Sequence, residues 1–228
     1  MVQKNSVSDF LEIPYTVSCM EVGLLRDPDL FRRWLERMPE LRRQKVNAMR
    51  FEEGRCLSLG AGILLDRALA KRGVDGRTVR LAEEEYGRPW LPDYPEFHFS
   101  LSHAGSWAVC AVGPAPVGCD VERLGRGDER LVRRFFHPGE REALAREKDP
   151  EAWDRLFTRI WTRKESYLKA VGRGLSLPMD SFQTLREEPG VWYDEHEMAE
   201  GYAFCCCGLG ERPEAVRWER VLPDVPES

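Results

Sequence analysis

Apolar residues first recur at three- and four-residue intervals between Pro28 and Met49, as Leu30, Trp34, Leu35, Met38 and Leu41, amid many arginines. That period predicts an amphipathic helix, and Pro39, which cannot make an interior helix hydrogen bond, predicts its division into two. A second helical run spans about Arg55 to Lys71, with Leu57, Leu59, Ile63, Leu64, Ala68 and Leu69 on its apolar face and Gly73 as its stop. The pattern then changes. After the turn-rich "EEYGRPWLPDYPE", the segment "FHFSLSHAGSWAVCAVG" reads as two short strands joined near Ala104 and Gly105. "GPAP" at Gly113 to Pro116 punctuates the chain near its midpoint, and "VGCDVERL" opens a second half as a strand. A charged loop-to-helix region, a helix from about Pro150 to Val171 and several short strands complete the chain. The domain boundary is expected at that midpoint, dividing 1–113 from 114–228.

Composition narrows the class. The chain has 228 residues, 42% hydrophobic and 32% charged, which suits a globular protein with one large core or two small ones. Its 34 Lys and Arg against 39 Asp and Glu give a net charge of -5, so there is no electrostatic case for bulk nucleic-acid binding. Seven cysteines, at 19, 56, 110, 119, 205, 206 and 207, form no C-x-x-C pair. They read as reduced core thiols, with the run in "GYAFCCCGLG" as a buried strand. "MVQKNSVSDFLEIPY" lacks the pattern of a signal peptide, and no apolar run is long enough to span a bilayer. The expectation is a cytoplasmic protein with no membrane partner.

Three constellations carry candidate chemistry. In "VGCDVE" the strand alternation puts Val117, Cys119 and Val121 on one face and Asp120 and Glu122 together on the other. Adjacent like charges repel unless they are protonated, solvated or neutralised by a cation, so the pair is either a solvated strand end or part of a hard-cation site. In "FTRIWTRKESYLKAVGRGLSLP", Phe157, Ile160, Trp161, Leu168 and Val171 form a helical apolar stripe that Lys164 interrupts. Glu165 and Lys169 are spaced as an ordinary i,i+4 pair, and Gly172 and Gly174 allow the helix to stop. In "FSLSHAG", Ser102 and His103 face apart on a strand, which rules against a serine triad and leaves His103 as a phosphate donor or a satisfied half-buried group. The cluster Arg42, Arg43, Lys45, Arg50 and Arg55 is a solvated helix face or an anion clamp.

Taken in order, "GRPWLP", "FSLSHAG", "VGCDVE" and "FTRIWTRKESYLKAVGRGLSLP" resemble the motif series of the 4′-phosphopantetheinyl transferases, in the larger surfactin-synthetase-activating class. The similarity runs from about Met38 to Phe182, nearly two thirds of the chain. It implies two similar α+β subdomains related by a pseudo-twofold axis, with the active site in the cleft between them. It implies transfer of phosphopantetheine from coenzyme A to a serine hydroxyl of an apo acyl or peptidyl carrier protein, with release of adenosine 3′,5′-bisphosphate. By motif position, Asp120, Glu122 and Glu165 correspond to acids that hold Mg2+, with Mn2+ as the alternative, against the coenzyme A pyrophosphate. Glu165 also corresponds to the acceptor of the serine proton. Lys169 corresponds to a phosphate contact, Lys164 to a second cation, His103 to a further phosphate contact, Ser102 to its neighbour near the nucleotide, and Arg88 to the basic residue of the turn beside adenosine.

The resemblance does not choose among Arg42, Lys45, Arg50 and Arg55 for the 3′-phosphate. The family commonly has an acid and a basic or hydroxyl residue around "FEEGRCLSLG", where this chain has Gly54 and Cys56. For the carrier, "RLVRRFFHPGE" is expected to offer Arg133, Arg134, Phe135 and Phe136 in a mobile connection. An internal pseudo-dimer leads to the expectation of a monomer. Two other readings stay open: another Mg2+-dependent phosphate enzyme, such as a nuclease or phosphohydrolase, and a non-catalytic module binding coenzyme A or a carrier.

Overall fold

The structure is a computed structural model and describes residues 14–198 and 201–224. The stretch read for a targeting signal therefore lies, up to Ile13, outside the described residues. Along the chain the strands are β1 (Thr16–Glu21), β2 (Ala82–Glu83), β3 (Pro89–Trp90), β4 (His98–Ala104), β5 (Trp107–Gly113), β6 (Val117–Arg123), β7 (Val191–Met198), β8 (Tyr202–Leu209) and β9 (Arg217–Arg220). The α-helices are α1 (Pro28–Arg37), α2 (Glu40–Ala48), α3 (Glu52–Ala70), α4 (Glu129–Phe135), α5 (Pro138–Arg146) and α6 (Pro150–Val171). The chain is a mixed α+β fold, as expected.

Two sheets share a central apolar core. One has the order β4-β5-β1-β9, the other β6-β8-β7, and β2 and β3 form a separate small hairpin. Val17, Cys19, Trp107 and Val109 of the first sheet pack with Val117, Cys119, Val121, Phe204 and Cys206 of the second. Helix α3 covers the other side of the first sheet, burying Leu59, Ile63 and Leu64 against Met20, Ala108 and Cys110. Helix α6 covers the other side of the second sheet, where Ser166 Oγ donates to the Cys205 carbonyl at 3.0 Å. The order is thus helix, sheet, sheet, helix. β9 pairs in parallel with β1, Thr16 opposite Arg217 through Cys19 opposite Arg220, so the first sheet draws on both halves of the sequence.

Local chemistry accounts for most boundaries. The helix expected over 28–49 does divide at Pro39, whose extended ψ of 152° separates α1 from α2. Asp27 caps α1 by accepting the Leu30 N–H at 2.8 Å. α3 begins three residues before its expected start, because Glu52 and Glu53 favour the positive end of the helix dipole. Gly105, at φ +56°, makes the bend between β4 and β5.

The expected mobile connection over 130–140 is corrected: it is two capped helices. Asp128 accepts the Arg130 N–H at 2.7 Å at the start of α4, and His137 with Glu140 forms a reciprocal capping box at the start of α5. Phe136 is fully buried and stacks on Phe157 at 5.2 Å, so it belongs to the core between α4 and α6. Arg133 is held by Glu129 at 3.3 Å, and the Arg134 guanidinium lies 5.0 Å over the Phe135 ring. All seven cysteines are free and buried, as their small apolar settings led us to expect. Among the described residues no helix is long and apolar enough to cross a membrane.

Candidate active site

The site begins with a glycine. β6 alternates as its sequence dictates, with Cys119 and Val121 in the inter-sheet core and Gly118, Asp120 and Glu122 on the side of α6. A Cβ on Gly118 would stand 1.9 Å from the Ser166 carbonyl oxygen and 2.6 Å from the Ala170 nitrogen, so only glycine lets the helix backbone come this close. That approach brings Lys169 Nζ to 2.7 Å from Asp120 Oδ1 and 3.0 Å from the Cys119 carbonyl. Lys169 also donates to Ser102 Oγ at 2.8 Å, and Ser102 donates in turn to Asp120 Oδ1 at 2.7 Å. Asp120 Oδ2 is buried with no hydrogen-bond partner.

The three acids strain against one another. Burial pushes the Glu122 carboxyl up to about 7, Asp120 and Glu165 add to it, and Lys169 and a hydrogen bond from Trp161 oppose it. Burial and then Asp120 also raise Glu165. For Lys169, burial works against the charge, but Asp120 chiefly overrides it and holds the ammonium above its ordinary value. Among the described residues no three acid, His or Cys side chains are already gathered closely enough to hold a metal. The donor set nevertheless fits a hard cation: oxygen ligands, an unmatched buried carboxylate oxygen, and carboxyls whose charged forms are disfavoured by burial and by the neighbouring carboxylate.

Next to this network a cleft of about 410 Å³ opens where α2, α3 and β4 meet the C-terminal half of α6. Glu165 and Lys169 form one wall; Ser102 and His103 lie on the β4 side. Desolvation holds His103 below the usual imidazole value, and Lys169, Arg42 and Lys45 lower it further. Arg42 is buried at 6% exposure, lines the cleft and makes no ion pair or hydrogen bond among the described residues. Burial lowers its pKa, while Cys110 and Glu83 act through space in the other direction. Lys45 is exposed and pairs with Glu83 at 3.6 Å. Arg88 also lines the cleft; it donates to the Ala170 carbonyl at 3.3 Å, beside the left-handed Gly172 that ends α6.

Three of the expected binding residues stand elsewhere. Arg50 lies 5.4 Å over Phe51 and Arg55 5.0 Å over Phe31, and neither lines the cleft. The larger correction is Lys164. Its side chain is fully buried, 2.8 Å from the equally buried Glu140 Oε2, and donates to the carbonyls of Met179 and Phe182 at 2.7 Å each. Glu140 also accepts from the Thr184 N–H at 2.7 Å and Oγ1 at 3.0 Å. One helical position before Glu165 points the side chain into the body of the second half, away from the cleft.

Sequence reasoning missed Gly118, Glu140 and Ser58. The Ser58 hydroxyl is buried without a partner and lines the cleft beside Arg42, whereas Cys56 turns to the Leu25 carbonyl at 3.5 Å. A lone hydroxyl inside the apolar run of α3 was its signal. Glu140 carried none, being 24 positions from its partner.

Comparison with known proteins gives a consistent result. A family profile described as the 4′-phosphopantetheinyl transferase superfamily matches residues 116–207, the stretch holding β6, α6 and the three acids. A 4′-phosphopantetheinyl transferase from Bacillus subtilis is 35% identical over 72% of this chain and 72% of its own. The 4′-phosphopantetheinyl transferase Sfp of Bacillus subtilis strain 168 is 32% identical over 82% of this chain and 83% of its own. The 4′-phosphopantetheinyl transferase gsp of Aneurinibacillus migulanus is 36% identical over 60% and 61%, respectively.

Proposed function

The chain belongs to the 4′-phosphopantetheinyl transferase superfamily, and we propose that its cleft moves the phosphopantetheine arm of coenzyme A onto a serine hydroxyl of an apo acyl or peptidyl carrier protein. The observation that carries this reading is the meeting, at one cleft, of cations from the first half of the chain with Glu165 and Lys169 from the second. An anionic cosubstrate needs the first group; a proton acceptor beside a phosphoryl group needs the second.

Asp120, Glu122 and Glu165 would hold Mg2+ or Mn2+, which when bound neutralises the pyrophosphate and the departing bisphosphate. Arg42, Lys45, Ser58 and His103 orient the phosphates of coenzyme A on the first wall. Lys169, released from Asp120, supplies a positive charge at the reacting phosphoryl oxygens. The serine oxygen forms the new bond to phosphorus, the bridging phosphoryl oxygen leaves with adenosine 3′,5′-bisphosphate, and Glu165 takes the serine proton. Burial that raises the Glu165 carboxyl makes it a stronger base once ionised. Arg88 braces the β2–β3 turn against the end of α6 and presents it to the nucleotide.

In the same reading, residues 1–113 and 114–228 are two subdomains related by a pseudo-twofold axis, with β9 returning to the first. The protein is a cytoplasmic monomer; seven free buried thiols support a reducing compartment. Incubating it with coenzyme A, Mg2+ and an apo carrier should raise the carrier mass by one phosphopantetheine group. Metal-dependent hydrolysis of nucleotide with no change in the carrier would overturn the reading in favour of a hydrolase.

A further inference from the structure

Three glycines sit inside α3, at 54, 60 and 62, where alanine would make a more stable helix. Their surroundings differ. A Cβ on Gly54 would only touch Met49 Sδ at 3.5 Å, an ordinary contact. One on Gly60 would run into Val22 Cγ1 at 2.6 Å and press on Ala108 Cβ at 3.3 Å, so that glycine serves the packing of α3 on the first sheet. One on Gly62 would meet Met38 Sδ at 2.8 Å and Arg42 Cγ and Cδ at 3.3 and 3.4 Å. The aliphatic stem of Arg42 therefore runs along α3 in a groove that exists because residue 62 has no side chain.

The cation at the end of that stem lines the cleft. Arg42 is buried and makes no ion pair or hydrogen bond among the described residues, and Ser58, one turn earlier on α3, buries a hydroxyl with no partner on the same cleft wall. A guanidinium that lines the cleft without a protein partner, beside a buried unpartnered hydroxyl, suits an anionic ligand that matches both. We propose that Gly62 is a positioning residue for Arg42, setting how far the guanidinium reaches into the cleft and hence the affinity for the phosphates of coenzyme A. This rests on the reading of Arg42 as a coenzyme A ligand. An alanine at 62 makes the stem give by a few tenths of an ångström at Cγ and Cδ, and the guanidinium attached to Cδ moves off its mark.

A binding experiment tests this without any turnover. Gly62→Ala should keep a melting temperature close to that of the parent, because the unbranched Met38 thioether can turn aside and alanine favours the helix. By calorimetry it should bind coenzyme A about tenfold more weakly. In an Arg42→Ala background the same substitution should leave the affinity unchanged, since no guanidinium remains to be moved. An equal loss in both backgrounds, or no loss in the parent, overturns the proposal. An Arg42→Ala protein that binds coenzyme A as tightly as the parent overturns the underlying reading as well. Should the Met38 overlap destabilise Gly62→Ala, adding Met38→Ala removes it, and that double variant must still bind more weakly than Met38→Ala alone.

Discussion

Helices α3 and α6 each cover the outer side of a sheet, yet they bury different things. Among the buried residues of α3 only Ser58 and Asp66 are polar, whereas α6 buries Thr158, Thr162, Lys164 and Ser166. α3 is a packing element, and the cations beside it come from α2 and the β2–β3 turn. α6 packs and also carries Glu165 and Lys169. Two devices make that second arrangement stable: Gly118, which brings the helix backbone onto β6 so that Lys169 meets Asp120, and Glu140, which neutralises Lys164 inside the protein. The fully buried charge of α6, Lys164, is tolerated because Glu140 answers it inside the protein.

The contrast can be broken at its centre. Asp120→Ala removes the acid that Lys169 and Ser102 both address, and should lower kcat at least about a hundredfold while circular dichroism stays native. Turnover at the parental rate would remove Asp120 from the chemistry. Glu140→Ala should act on stability instead, costing about 3–5 kcal/mol by leaving Lys164 buried and uncompensated, as read by urea unfolding. Restoring an apolar match with Lys164→Met in the same chain should recover much of that loss.

Smaller effects sharpen the division of labour on the first wall. Arg42→Ala should weaken coenzyme A binding about tenfold, while Arg50→Ala, on an exposed arginine stacked on Phe51, should change it less than about twofold. The smallest expected effect is a pH-dependent gain from metal. With its carboxyl raised to about 7, Glu122 contributes stability that is fully present below its ordinary value near 4.5 and is lost as pH rises through 7. In the proposed metal site Mg2+ would bind only the ionised form, so its stabilisation should grow with pH, reaching about 3 °C in melting temperature at pH 8 and falling towards zero at pH 5.5. A gain that is flat across this range, or absent, would count against the metal assignment.

Much of this was legible in order along the chain. Helical periods marked α1, α2, α3 and α6, Pro39 marked a break, and strand alternation separated Cys119 from Asp120 and Glu122 before any contact was known. The motif series brought Asp120, Glu122, Glu165, Lys169 and His103 into one list. What was not legible was the direction of side chains set by long-range packing. Lys164 and Glu165 are neighbours, yet one enters the body of the protein and the other the cleft. Among four candidate basic residues, only Arg42 and Lys45 line the cleft, because α2 lies along it and the chain then turns away through Arg50 into α3.

The sequence by itself determined the elements, the chemical kinds of group present and the family to which their order belongs, because periodicity and motif spacing are local properties of the chain. Only the tertiary structure decided which cations face the cleft, that Glu140 answers Lys164, that β9 completes the first sheet, and that Gly118 is required as a gap. Those depend on what approaches from elsewhere in the chain, and a glycine kept for an absent side chain leaves nothing in the sequence to say which neighbour needs the space.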